Sequence, residues 1–118
     1  MDNCLFCKIA RGDIPSRKVY EDDEVFAFHD INPARPMHLL VVPKRHIDSL
    51  QTITSEDEPV LGRMLSVARR LAEENGSPDG FRVIINNGRV GGQEVPHLHA
   101  HIVGGPAPAA VAAQIDEQ

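Results

Sequence analysis

The segment His97-Leu98-His99-Ala100-His101-Ile102-Val103 constrains the fold more than any other part of the chain. Polar and apolar residues alternate through it, and a period of two is the pattern of a half-buried β-strand. On such a strand the three imidazoles share one face, while Leu98, Ala100 and Ile102 turn the other way, towards a core. Gly104-Gly105-Pro106 ends the run. Three histidines in register on one face are hard to explain by packing alone.

The rest of the chain supplies elements to surround that strand. Cys4–Ala10 reads as a short helix, ended by Gly12 and Pro15. Arg17–Glu21 and Glu24–His29 read as two strands of a hairpin that turns at Asp22-Asp23. Asn32-Pro33 and Arg35-Pro36 interrupt regular structure. His38–Pro43, a short run rich in Leu and Val, predicts a central strand. The spacing of Val60, Leu61, Met64, Leu65, Ala68, Leu71 and Ala72 predicts one long helix from Ser55 to Asn75. Ser55-x-x-Glu58 has the form of a capping box, and Asn75-Gly76 is a suitable stop. Phe81–Asn87 predicts a further strand, followed by the Gly-rich loop Gly88–Gly92. The expectation is an α+β fold, with a mainly antiparallel five-stranded sheet, one long helix and one short one. At 118 residues, the chain is expected to form a single domain over residues 1–118, with about residues 106–118 a loosely ordered tail rich in Ala and Pro.

Charge narrows the partners. The formal net charge of −5 argues against a general nucleic-acid binder, which needs Lys and Arg to displace phosphate counterions. No apolar run approaches a membrane span, and Met1-Asp2-Asn3-Cys4 has neither the basic region nor the apolar stretch of a signal peptide. A cytoplasmic protein with no nucleic-acid or membrane partner is expected. A phosphorylated small molecule is still compatible, held by backbone N–H groups and imidazoles. The two cysteines, Cys4 and Cys7, are spaced C-x2-C, which in a reducing compartment favours a metal or redox role over a disulfide.

Two chemistries compete for the histidine face. One is a metal site, which a regular strand limits: positions i and i+4 lie about 13 Å apart at about 3.3 Å per residue. With zinc–nitrogen bonds of about 2.0–2.1 Å, one ion cannot readily take both His97 and His101. The other is nucleophilic catalysis. A neutral imidazole is a competent nucleophile near pH 7 and a good leaving group from phosphorus. The Gly88–Gly92 loop leads into the strand, and glycines allow backbone N–H groups to approach a phosphate closely.

The His97–Val103 segment matches the His-φ-His-φ-His-φ-φ signature of the histidine triad (HIT) superfamily, and the chain resembles that family over nearly its whole length. The resemblance takes in Phe6-Cys7-Lys8-Ile9, Ile14-Pro15, Phe28-His29-Asp30-Ile31, His38, Val42-Pro43-Lys44-Arg45-His46, Asn86 and Gly91-Gly92-Gln93. The Val103-Gly104-Gly105 ending is similar to the Hint branch of nucleoside phosphoramidases, whereas dinucleoside polyphosphate hydrolases usually end the motif in Leu-Pro-Arg. The resemblance implies cleavage of purine nucleoside phosphoramidates or related nucleotidyl conjugates at the α-phosphate, through a nucleotidyl-histidine. His99 is then the nucleophile, and His101 contacts the phosphate and steadies the transition state. The nucleotide-binding positions implied are Phe6, Ile9, Ile14, Phe28, His29, Asp30, Ile31, Asn86, Gly92, Gln93 and Glu94, with Asp30 on the ribose hydroxyls.

Two positions depart from the pattern: Glu94 stands where many Hint proteins have Ser or Thr, and the tail lacks an aromatic ending. By the same resemblance, Cys4, Cys7, His46 and His97 are the ligands of a structural Zn2+ that staples the N-terminal segment to the sheet. No organic cofactor is expected. His38 matches a histidine packed near the triad, in a supporting role or simply in the core. A homodimer is implied, with the two sheets joined and the long helix packed across the two-fold. The alternatives are a dinucleoside polyphosphate hydrolase, a nucleotide-binding regulatory module with little turnover, and a metallohydrolase with its ion on the histidine strand.

Overall fold

A computed structural model describes residues 3–107. In chain order the elements are α1 (Leu5–Arg11), β1 (Lys18–Glu21), β2 (Val25–His29), β3 (Met37–Pro43), α2 (Glu58–Glu74), β4 (Phe81–Ile84) and β5 (Ala100–Gly104), with short 3₁₀ turns at Leu50–Thr52 and Ser55–Asp57. The five strands form one sheet in the order β1-β2-β3-β5-β4, and every neighbouring pair is antiparallel. The expected α+β fold is the observed one. The tail expected over residues 106–118 lies, from 108 onwards, outside the described residues.

β3 sits in the middle of the sheet and is buried along its whole length. That explains a run that is apolar throughout and does not alternate, because both of its faces are covered. Leu39 and Val41 join Met64, Val67, Ala68 and Leu71 of α2 in the larger core. Leu40 and Val42 turn the other way and pack with Phe26, Phe28 and the α1 residues Phe6 and Ile9. The molecule therefore has three layers, α2, sheet and α1, and the thin α1 layer is where the site opens.

Helix boundaries follow local chemistry. Cys4 caps α1, its Sγ accepting the Cys7 N–H, and Gly12 ends it in the left-handed conformation at φ 86°. The cap before α2 is one residue upstream of the expected Ser55/Glu58 pair. The Thr54 hydroxyl accepts the Glu56 N–H and the Asp57 carboxylate accepts the Thr54 N–H, so a 3₁₀ turn leads directly into the helix. Pro59 then falls in the first turn, where a missing N–H costs nothing. On α2 the buried stripe includes Val67, while Leu65 is 51% exposed, one helical step off the stripe. Arg63 bonds both Asp22 and the Tyr20 hydroxyl, and Arg70 stacks on the Tyr20 ring, tying α2 to the β1–β2 hairpin. No helix among the described residues is long and apolar enough to cross a membrane.

Candidate active site and metal centre

The strand predicted over His97–Val103 begins only at Ala100. Upstream of it the backbone bonds elsewhere: the His97 N–H turns back to the Val95 carbonyl, and the Leu98 N–H donates to the Ile47 carbonyl rather than to β3. Alternation survives the irregularity. Leu98, Ala100 and Ile102 lie in the core under α2, and the imidazoles emerge on the α1 side. There the Phe6 ring packs edge-on against His97 and His99, at 5.9 and 4.9 Å between centroids, and His99 stands 5.1 Å from His101.

Each imidazole has its tautomer set by a partner that can only accept or only donate. His99 Nδ1 lies 2.7 Å from its own neighbour's carbonyl, that of His97, so Nδ1 carries the proton and Nε2 keeps its lone pair. The Ala34 N–H donates to His38 Nδ1 at 3.0 Å, which places the His38 proton on Nε2. His38 Nε2–H in turn donates to His101 Nδ1 at 3.0 Å, with an Asp30 oxygen 3.3 Å away. The remaining proton of neutral His101 is then on Nε2. Burial, reinforced by the charges of His99 and His38, pushes the His101 imidazole below its ordinary pKa. The result is one unprotonated ring nitrogen on His99 beside one N–H on His101.

A cavity of about 470 Å³ opens over these rings. Of the residues predicted to bind nucleotide, Phe6, Ile9, Ile14, Phe28, Asp30, Ile31, Asn86, Gly92 and Glu94 border it, together with His99 and His101. Ile31, at the lip, is 91% exposed. His29 and Gln93 are not on the wall. His29 pairs across the sheet with Leu39 and shares its face, opposite to Phe28. Gln93 is used internally: its Oε1 accepts the Gly88 N–H and its Nε2 donates to the Asp48 and Val95 carbonyls. Leu5, Pro15, Leu40 and Val95 complete the cavity and were missed. Leu40 had a usable signal, being two residues from His38 on a strand, and Pro15 had one in the Ile14-Pro15 pair of the resemblance.

The Gly88–Gly92 loop departs from expectation in how it uses its donors. The N–H groups of Gly91, Gly92 and Gln93 all bond carbonyls within the loop, those of Asn87, Arg89 and Gly88. A Cβ at Gly91 would run into the Asn87 backbone, so the tight turn itself requires the glycine. Among the described residues the Glu94 N–H has no protein acceptor, which leaves it available at the cavity rim. The Glu94 side chain is exposed there.

Behind the cavity, Cys4, Cys7, His46 and His97 bring one sulfur or nitrogen each to within 4.8 Å of one another, a group able to hold a metal ion. Cys4 Sγ is 3.2 Å from His97 Nδ1, and Cys7 Sγ is 3.4 Å from His46 Nδ1 and 3.5 Å from His97 Nδ1. Both imidazoles are prepared as ligands. His97 donates its Nε2–H to the Pro43 carbonyl at 2.8 Å and His46 donates its own to Asp48 at 2.7 Å, which turns both Nδ1 lone pairs inward. Burial pushes the His97 pKa down, keeping the ring neutral, and pushes the Cys7 thiol up. His97 therefore belongs to this centre and does not border the cavity.

Asp30, His38 and His101 form a second cluster of possible ligands. There the tautomers run the other way. The proton on His38 Nε2 sits between the two rings, so this nitrogen has no lone pair to offer an ion.

A sequence model of the HIT domain family matches residues 11–107. The chain is 54% identical over 106 residues to protein HitA of Neisseria gonorrhoeae, covering 90% of this chain and 99% of the relative. It is 47% identical over 105 residues to the purine nucleoside phosphoramidase of Escherichia coli K12, covering 88% of each chain. Among solved structures, a HIT family hydrolase from Legionella pneumophila superposes with a TM-score of 0.85 at 44% identity, over 89% of this chain and 95% of that one.

Proposed function

The chain belongs to the HIT domain family and is a hydrolase of it, and from that premise we propose that it cleaves purine nucleoside phosphoramidates and related nucleotidyl conjugates at the α-phosphate. The observation that carries the proposal is the His99 ring, whose Nδ1 is tied to the His97 carbonyl at 2.7 Å and whose Nε2 faces a nucleotide-sized cavity. His99 Nε2 attacks phosphorus. The P–N bond breaks with its electron pair on nitrogen, and the amine leaves after taking a proton from water. Water then attacks the nucleotidyl-His99, releases the nucleoside monophosphate and restores the free ring. His101 Nε2–H donates to a phosphoryl oxygen as charge builds there.

The purine lies in the slot of Phe6, Ile9, Ile14, Phe28 and Ile31, which leaves the exposed Ile31 side chain something to cover. Asp30 accepts from the ribose hydroxyls. Its Oδ1 already takes the Asn32 N–H at 2.8 Å, which holds the carboxylate in place. Asn86, Gly92 and the Glu94 N–H stand on the phosphate side. Nucleotide contacts expected of His29 and Gln93 are not retained, since neither reaches the wall.

Zinc is the metal proposed for Cys4, Cys7, His46 and His97. Tetrahedral bonds of about 2.3 Å to sulfur and about 2.0–2.1 Å to nitrogen separate the two donors by about 3.5 Å. The sulfur–nitrogen distances of 3.2, 3.4 and 3.5 Å are close to that value. Four protein ligands make a structural ion, one that anchors α1 and with it Phe6 and Ile9. A homodimer joined near β4 accounts for that edge strand's exposed Phe81 and Val83. Two cysteines that form no disulfide suit the reducing cytoplasm.

The test is turnover of adenosine 5′-phosphoramidate. AMP should accumulate with the wild type and not with His99→Ala, whereas comparable rates in the two proteins would remove His99 from the chemistry.

A further inference from the structure

The sheet face that carries His101 continues past it into a second cavity of about 430 Å³. Asn86 and His101 border both cavities, so the two meet where the α-phosphate is proposed to sit. The far end is walled by Arg35, from the loop before β3, and Arg82, from β4. Strand register explains the placement. Val103 pairs with His38 on one side and Arg82 on the other, and His101 pairs with Leu40 and Ile84. Paired residues share a face, so Arg82 stands on the same side of the sheet as His101, one row further along.

Charge separates the two cavities. The chain carries a net −5, and Asp30 and Glu94 border the nucleoside cavity, yet among the described residues no carboxylate borders the second one, Asp30 lying 3.3 Å from the Nε2 of His38. Among the described residues neither Arg35 nor Arg82 makes an ion pair. Asp79, which borders the next surface depression along with both arginines, pairs with neither. Two guanidinium groups with no ion-pair partner among the described residues, at one end of a phosphate site, favour anions in a fixed direction.

That direction is the leaving group's. His99, His101 and Val103 follow one another in steps of two along one face. A phosphorus attacked from His99 and seated over His101 thus expels its substituent towards Val103 and Arg82. Resting on the phosphoramidase proposal above, we infer that Arg35 and Arg82 form a leaving-group subsite for an anionic group, either a carboxylate on the departing amine or a phosphate. The P–N or P–O bond breaks as before, and the arginines hold the departing anion without taking part in proton transfer.

The experiment compares four substrates of the full-length protein: adenosine 5′-phosphoramidate, an N-alkyl phosphoramidate of AMP, AMP joined through nitrogen to aspartate, and a dinucleoside polyphosphate. The aspartate conjugate should exceed the size-matched N-alkyl conjugate in kcat/KM by roughly tenfold, the scale of two partly exposed ion pairs. That ratio should fall towards unity in the Arg35→Gln/Arg82→Gln double variant and at high salt, and recover in part with Lys at both positions. A larger gain with the polyphosphate than with aspartate identifies phosphate as the anion. A ratio near one in the wild type, or one untouched by the double variant, overturns the subsite while phosphoramidate turnover upholds the underlying activity. Failure to hydrolyse any of the four overturns both.

Discussion

Removing the proposed zinc from the Cys4, Cys7, His46 and His97 centre should destabilise the protein and loosen its grip on nucleotide at the same time. The sulfur and nitrogen donors already stand 3.2–3.5 Å apart, and both Nδ1 lone pairs are turned inward by bonds to Pro43 and Asp48. Little of the binding energy is then spent on rearranging the site. Zinc held a hundredfold above its Kd stabilises the folded state by about 2.7 kcal/mol. For a chain of 118 residues that is a Tm shift of roughly 10 °C. The loss falls first on α1, whose 7 residues are too few to hold a helix unaided. Phe6 and Ile9 lose their place with it, so KM for nucleotide should rise more than kcat falls. Because burial keeps the Cys7 thiol protonated, the metal must displace a proton there, and apparent affinity should rise with pH. The assay is metal analysis with thermal melts before chelation, after chelation and after zinc is restored. Cys4→Ser/Cys7→Ser should melt like the chelated wild type and ignore the chelator. Purified protein with no zinc, whose melting point does not move when zinc is added, would refute this reasoning.

Three further outcomes follow from particular contacts. His38→Ala should cost about fivefold to tenfold in kcat/KM, the worth of one hydrogen bond, because His101 loses the donor that fixes its tautomer; unchanged kinetics would show that the His38–His101 bond does not matter. His101 should titrate below its ordinary value of about 6.5 in an NMR pH series. Since the unfolded chain then takes up the proton first, stability should decline as pH falls below 6.5, and the decline should be shallower in His101→Gln. A midpoint at or above 6.5 would contradict the burial that defines the site. Ser77→Ala should destabilise by about 1–3 kcal/mol in chemical denaturation, because the buried Ser77 hydroxyl is the acceptor for the Gly105 N–H at the end of β5; a loss under about 0.5 kcal/mol would mean that water replaces it.

What the sequence revealed was set by local periodicity. α2 and β3 were legible because one shows a stripe and the other an unbroken apolar run, and both patterns survive packing. The start of β5 was not legible. His97–His99 alternate like a strand, but the His97 and Leu98 N–H groups bond the Val95 and Ile47 carbonyls, and only the fold brings Ile47 to that position. The same holds for the His38–His101 bond. It depends on the register of β3 against β5, which no local pattern encodes. His29 is a different kind of miss. Strand alternation alone sets it opposite to Phe28, away from the cavity beside which the resemblance had placed it. The glycine loop was correctly placed beside the histidines. Its donors, however, close the turn rather than face the cavity, which only the traced hydrogen bonds reveal.

The division of labour proposed for the histidines is that His99 forms the covalent bond and His97 serves the metal. Intact-mass measurement of protein quenched during turnover of adenosine 5′-phosphoramidate tests it directly. The predicted result is a transient species heavier by one adenylyl group, acid-labile as a phosphorus–nitrogen bond should be, mapped to His99 and absent from His99→Ala. Steady AMP production with no adduct at any quench time, or an adduct mapped to His97 or His101, would contradict it.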